Sequence, residues 1–146
     1  MALDQLYQQL ILEHNRSPRN FGPLAGATHS ARGFDALCGD DLMFELRVEN
    51  GIIRAAAFSG EACAVTKACA SMLTEWLPGQ ARDDVKRGLE AFNLLLSGEG
   101  LAPEADLGPF EELTALAGFP SRQRNARLPW RCALDAFASG EGRSAL

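Results

Sequence analysis

Residues 42–58 read as a two-stranded antiparallel hairpin, and the rest of the chain must pack around it. Leu42, Phe44, Leu46 and Val48 alternate with Met43, Glu45, Arg47 and Glu49, the period-two pattern that gives a strand one apolar face. Asn50-Gly51 follows. Both central residues of a type I′ turn need positive φ, which Asn and Gly adopt most readily, and the chain then returns through Ile52 to Phe58. A hairpin brings its own entry and exit together. The Cys38-Gly39-Asp40 loop before it and Cys63 after it are therefore expected to be neighbours, although 25 residues separate the two thiols.

Around the hairpin the periodicity is mostly helical. Leu3, Leu6, Leu10 and Ile11 mark a first amphipathic helix that stops near His14 to Pro18, where proline forbids easy continuation. A loop from Pro18 to Gly26 leads to an expected edge strand from Ala27 to about Gly33. Beyond Ser59-Gly60, the residues Val65, Cys69, Met72, Leu73 and Trp76 form one stripe ended by Pro78-Gly79. Val85, Leu89, Phe92 and Leu96 mark another helix closed by Gly98, and a segment opening at Pro109 sets Phe110, Leu113 and Ala117 on one face. The last helix is expected to start around Leu128-Pro129, since proline suits a first turn, and to run through Leu134 and Phe137 to Gly140. Strands early and helices late predict an α+β fold, a small three-stranded antiparallel sheet with helices on one face. A chain of 146 residues fits a single domain spanning 1–146.

The formal net charge of −5 opposes a nucleic-acid surface. The one basic cluster, Arg122, Arg124, Arg127 and Arg131, serves equally as an acidic-partner contact or a solvated surface. No run approaches the roughly 20 apolar residues of a membrane span, and the N-terminus lacks the unbroken apolar stretch of a signal peptide. The expected setting is the cytoplasm, with no nucleic acid and no membrane as partner. Thiols stay reduced there and more often bind metal or react than form bridges.

Cys38, Asp40 and Cys63 are then three candidate ligands for a tetrahedral zinc or for iron–sulfur chemistry. Cys63 opens a helix, where free backbone N–H groups favour a thiolate. Read singly, Cys63 is as well explained as a small buried hydrophobe; the pair with Asp40 is what favours a site. Cys69 lies on the apolar stripe and is expected in the core. His14, which ends the first helix where it would cap carbonyls, and His29 are expected to be structural or exposed.

Leu6 to His14, Ser17-Pro18-Arg19-Asn20, Cys38-Gly39-Asp40, Gly60-Glu61-Ala62-Cys63 and Ala68 to Met72 together resemble the SufU/IscU/NifU N-terminal family of iron–sulfur cluster assembly proteins over nearly the whole chain. The likeness is closest to SufU: a helical insertion around Gly98 to Gly118 contains Asp106-Leu107-Gly108, the chaperone-recognition motif of IscU proteins is missing, and Phe119-Pro120-Ser121-Arg122 stands in its place, followed by Leu128, Trp130 and Ala133-Leu134. The resemblance implies a scaffold or a sulfur relay that accepts persulfide sulfur from a cysteine desulfurase and serves apo iron–sulfur acceptor proteins. Such a protein is not an enzyme in the usual sense, although a relay of this kind is sulfurtransferase-like. Under the resemblance Cys38 and Cys63 are ligands or persulfide acceptors, Asp40 is a ligand or tunes cluster release, and Arg122 contacts the desulfurase. The implied cofactor is zinc, a transient cluster, or neither.

Two positions depart from the family pattern. Asn125 stands where the family's third cysteine falls, and a neutral amide is a poor zinc ligand that supplies no thiolate. Lys67, four residues after Cys63, sits where the family usually carries an uncharged residue. It either pairs with Asp40 or a thiolate, replacing metal charge with protein charge, or points into solvent. Cys132 lies seven residues past Asn125 and about 10 Å along the axis if the segment is helical, so it is either a displaced ligand or core. These departures support an alternative reading, a divergent member that has lost metal binding and acts as a docking or regulatory partner. An independent thiol enzyme is disfavoured, since no histidine is placed to activate a cysteine and no Cys-x-x-Cys occurs.

Overall fold

The computed structural model describes residues 2–144 except 103, and the side chains of 5, 7–102 and 104–139. The elements run α1 (Ala2–Arg16), β1 (His29–Asp35), β2 (Asp40–Glu49), β3 (Ile52–Glu61), α2 (Ala64–Trp76), α3 (Arg82–Leu96), a 3₁₀ helix (Gly108–Leu116) and α4 (Pro120–Ser144). The sheet has order β1-β2-β3 and is antiparallel throughout, with helices against it as expected for α+β. β1 starts and ends two residues later than the sequence reading placed it.

Register fixes where the thiols go. Asp35 pairs with Asp40 across β1 and β2, and Asp41 pairs with Glu61 across β2 and β3. The Cys38 turn and the exit toward Cys63 therefore lie at one end of the sheet. Gly39 has φ +72 and Gly60 φ +113, values that side-chain-bearing residues rarely adopt. A Cβ on Gly60 would stand 2.1 Å from the Asp41 carbonyl oxygen, so only glycine lets the end of β3 pair so closely with β2.

One face of the sheet is sealed. Leu42, Phe44, Leu46 and Phe58 are buried beneath α4, which crosses β1 and β2, and α2, which lies against β3. Arg32 and Met43 are exposed on the opposite face. Full burial of each large apolar side chain contributes about 1.5–3 kcal/mol. Within α1, Leu10 and Ile11 pack on the core, while the side chains of Leu3 and Leu6 lie outside the described residues. His14 does not cap its helix: it is buried, with Nδ1 2.7 Å from Ser71 Oγ of α2.

Two helical expectations need correction. After Pro109 the chain forms a 3₁₀ helix, so the buried residues recur every three positions as Phe110, Leu113 and Leu116; Ala117 is its C-cap and only partly buried. α4 begins at Pro120, eight residues before the expected start, and Pro129 lies inside it. An internal proline deletes the helical bond to the carbonyl four residues back, that of Asn125. The helix continues because burial outweighs that loss: Ala126, Pro129, Trp130, Ala133, Ala136 and Phe137 are all buried. Trp130 joins Trp76, Phe92 and Phe110 in an aromatic cluster with ring centroids 4.9, 5.8 and 5.2 Å away.

Candidate functional site

The early start of α4 brings Arg124 and Asn125 onto a helix that faces the Cys38 turn. Asp40, the first residue of β2, is fully buried. Its Oδ1 accepts the Cys63 backbone N–H at 2.8 Å, and its Oδ2 accepts the Thr66 hydroxyl at 2.6 Å and the Asn125 side-chain N–H at 3.1 Å. A carboxylate only accepts, so the Asn125 amide must present its NH₂ rather than its oxygen. Cys63 is the N-cap of α2, with extended φ −64 and ψ 167 and no side-chain cap. Its Sγ lies 3.2 Å from Thr66 Oγ1 and 3.9 Å from Asp40 Oδ2. Asp40 thus supplies negative charge beside the first turn of α2, where the helix dipole favours it.

Cys38 lies on the exposed turn above this network. Arg124 donates from Nε to Asp35 Oδ2 at 2.8 Å and from Nη2 to Cys38 Sγ at 3.4 Å. These bonds hold the guanidinium pKa up, with Asp35 contributing more than Cys38. In return, chiefly through its hydrogen bond with Arg124, the Asp35 carboxyl is held below its usual range. The ligand atoms of Asp35, Cys38 and Asp40 all lie within 4.8 Å of one another, and Cys63 meets this set through Asp40.

Cys38, Asp40 and Cys63 therefore come together as the hairpin required, and Asn125 joins them. Lys67 does not: its Nζ sits 5.4 Å from the centre of the Phe21 ring, a cation–π contact, and Thr66 and Asn125 are the side chains that donate to Asp40 Oδ2. Cys132 is also elsewhere. Its Sγ donates to the Ala31 carbonyl at 3.3 Å and packs where Gly33 lacks a Cβ; burial pushes its thiol up to about 12. Cys69 is wholly buried and its thiol likewise pushed up by desolvation. Arg122 is exposed and lines a groove with Tyr7, Val65 and Phe119; Arg124 is the arginine at the thiol.

Sequence reasoning missed Asp35, Thr66 and Arg124. Asp35 and Thr66 each stand three residues from a thiol, before Cys38 and after Cys63. For Thr66, one helical turn inside α2, that spacing was a usable signal.

The donor set does not fit a resident tetrahedral ion. Cys38, Asp40 and Cys63 offer three donors and Asp35 a fourth, but Arg124 already pairs with Asp35, and α4 turns the Asn125 N–H, a donor rather than a lone pair, toward Asp40. Oδ2 of Asp40 already spends both lone pairs on Thr66 and Asn125.

Fold and site together define a class: an α+β domain in which a three-stranded antiparallel sheet holds two thiols around one buried carboxylate. The chain belongs to the NifU-like N terminal domain family, whose model matches residues 6–125. It is 31% identical over 140 residues to the zinc-dependent sulfurtransferase SufU of Bacillus subtilis (strain 168), covering 96% of this chain and 95% of that protein. Similarity to the iron–sulfur cluster assembly scaffold protein IscU of Streptococcus pyogenes serotype M1 is 25% identity over 135 residues, 92% of this chain and 84% of that one. The crystal structure of the N-terminal NifU-like protein from Brucella abortus shares the fold, with a TM-score of 0.79 at 23% identity over 97% of this chain and 99% of the other. Among the described residues no helix is long and apolar enough to cross a membrane.

Proposed function

We propose that this protein is a sulfur acceptor in iron–sulfur cluster assembly, taking the outer sulfur of a cysteine desulfurase persulfide onto Cys38 and passing it to apo iron–sulfur acceptor proteins in the cytoplasm. The observation that carries the reading is the exposed Cys38 sulfur with the Arg124 guanidinium 3.4 Å away. In the transfer the Cys38 thiolate attacks the outer sulfur of the donor persulfide. A new Sγ–S bond forms, the donor S–S bond breaks and the donor cysteine leaves as a thiolate, so no external oxidant is needed. Arg124 is a fixed counter-charge for the anionic sulfur, and Asp35 holds it there through Nε. Cys63, half-buried against Thr66 and Asp40, is the secondary acceptor. The protein is a carrier rather than an enzyme in the usual sense, and Arg122 is its contact for the desulfurase.

Relay is favoured over scaffold because protein-held clusters take about four thiolates or their equivalent. Here Cys69 and Cys132 are buried in the core, which leaves Cys38 and Cys63. The test is transfer of ³⁵S from labelled cysteine through a desulfurase to the full chain. Cys38→Ala is expected to lose at least about tenfold of the label, while Cys69→Ala keeps it. Undiminished labelling of Cys38→Ala would sink the proposal.

A further inference from the structure

We infer that Asn125 and Thr66 hold Asp40 by hydrogen bonds in the role a cation would otherwise fill, so that this site is organised without a resident metal ion. The consequence for sulfur transfer, that Cys38 accepts sulfur independently of metal, rests on the relay reading above; the metal-free state of the site does not.

A fully buried carboxylate must find partners inside the protein. Asp40 finds three: the Cys63 N–H from the start of α2, the Thr66 hydroxyl one turn further along, and the Asn125 amide from α4, at 2.8, 2.6 and 3.1 Å. They come from two different helices and converge on one side chain. A zinc ion bound through Oδ2 would have to displace Thr66 or Asn125, and the displaced group would be left buried: Thr66 is fully buried and Asn125 nearly so. The amide also lacks a lone pair aimed at the site, because its NH₂ is the group that faces the carboxylate. On the outer side Arg124 already supplies positive charge to Asp35 and Cys38. Asp35, Cys38 and Asp40, three of the groups that a dication would neutralise, therefore each have a protein donor. Asn125 is the residue on which the test turns, because it is the one donor that α4 brings to Asp40 and its exchange for cysteine or aspartate turns that donor into a ligand.

The experiment titrates zinc chloride into the full chain against a chromophoric chelator, for wild type and Asn125→Cys, with far-UV circular dichroism confirming that each is folded. Asn125→Asp carries the same test with a nearly isosteric carboxylate should Asn125→Cys fail to fold. Wild type is expected to take no zinc from the chelator, and Asn125→Cys to bind one equivalent at least about 100-fold more tightly. Stoichiometric zinc retained by the wild type would overturn the inference, as would a folded Asn125→Cys or Asn125→Asp that binds no better than wild type. The ³⁵S assay is then repeated with the chelator present. Labelling of wild type within about twofold of the untreated value is the expected result, and a loss beyond about tenfold that added zinc restores would overturn metal independence. If no label reaches the chain under any condition, the relay reading fails, while the zinc titration still decides the state of the site.

Discussion

Thr66 donates the shortest of the three hydrogen bonds that Asp40 accepts, 2.6 Å in a fully buried setting, and a hydrogen bond to a charged group contributes about 1.5–3 kcal/mol. Thr66→Val, which keeps the shape and removes the hydroxyl, is expected to lower stability by about that amount in urea unfolding; a change under 0.5 kcal/mol would mean that the carboxylate finds another donor. The Asp35–Arg124 pair behaves differently because it is partly exposed. Asp35 is held below its ordinary pKa, first by Arg124, so the folded chain gives up that proton more readily than the unfolded chain. Its contribution is complete above about pH 4 and is lost as pH falls through the lowered value. Arg124→Gln should therefore be less stable than wild type at pH 6, and the gap between their melting temperatures should close below about pH 4. Cys38, Asp40 and Cys63 were legible in the sequence because strand pairing alone dictates their proximity. Asp35, Thr66 and Arg124 were not, because which polar group satisfies which depends on the angular setting of α2 and α4, and that angle follows from packing.

Among the elements, α1 is fastened to α2 through a titratable group. His14 is held below its usual pKa by burial first and by Arg19 next, with Glu13 and Glu75 opposing. The unfolded chain takes up this proton more easily than the folded one, so the stability it supports is complete above about pH 6.5 and declines below that at no more than about 1.4 kcal/mol per pH unit. His14→Gln should flatten that slope in denaturant titrations run between pH 5 and pH 7; an unchanged slope would assign it to other groups. α3 has its own constraint at Gly88, where an added Cβ would lie 2.7 Å from Trp76 and 2.9 Å from Trp130. Indole rings in a packed cluster have nowhere to go, so Gly88→Ala is expected to cost about 1–3 kcal/mol despite the better helix propensity of alanine. The start of α4 was misread for a related reason. Pro120 and Pro129 are equally good openings by local rules, and only the burial of Ala126, Pro129 and Trp130 selects the first.

Across the whole molecule, the four cysteines divide by depth. Cys38 is exposed and Cys63 half-buried, whereas Cys69 and Cys132 are sealed by α2 and α4 with their thiols pushed up. Native protein is expected to react with a thiol reagent at two cysteines only, and the other two should become reactive in urea at the same midpoint as the change in tryptophan fluorescence. An earlier midpoint for Cys132 would show that α4 leaves the sheet before the aromatic cluster breaks. The sheet and most helices were readable from hydrophobic period, since each period is local; the closure of α4 over the site was not, since it joins distant parts of the chain. That closure spans 85 residues between Asp40 and Asn125 and 86 between Cys38 and Arg124. A nascent chain synthesised only as far as α2 already carries both reactive sulfurs, yet has neither the arginine nor the amide that dress them. On the relay proposed above, competence to receive sulfur arrives late in synthesis, because Arg124 and Asn125 come with α4, the last element of the chain to be made among those described.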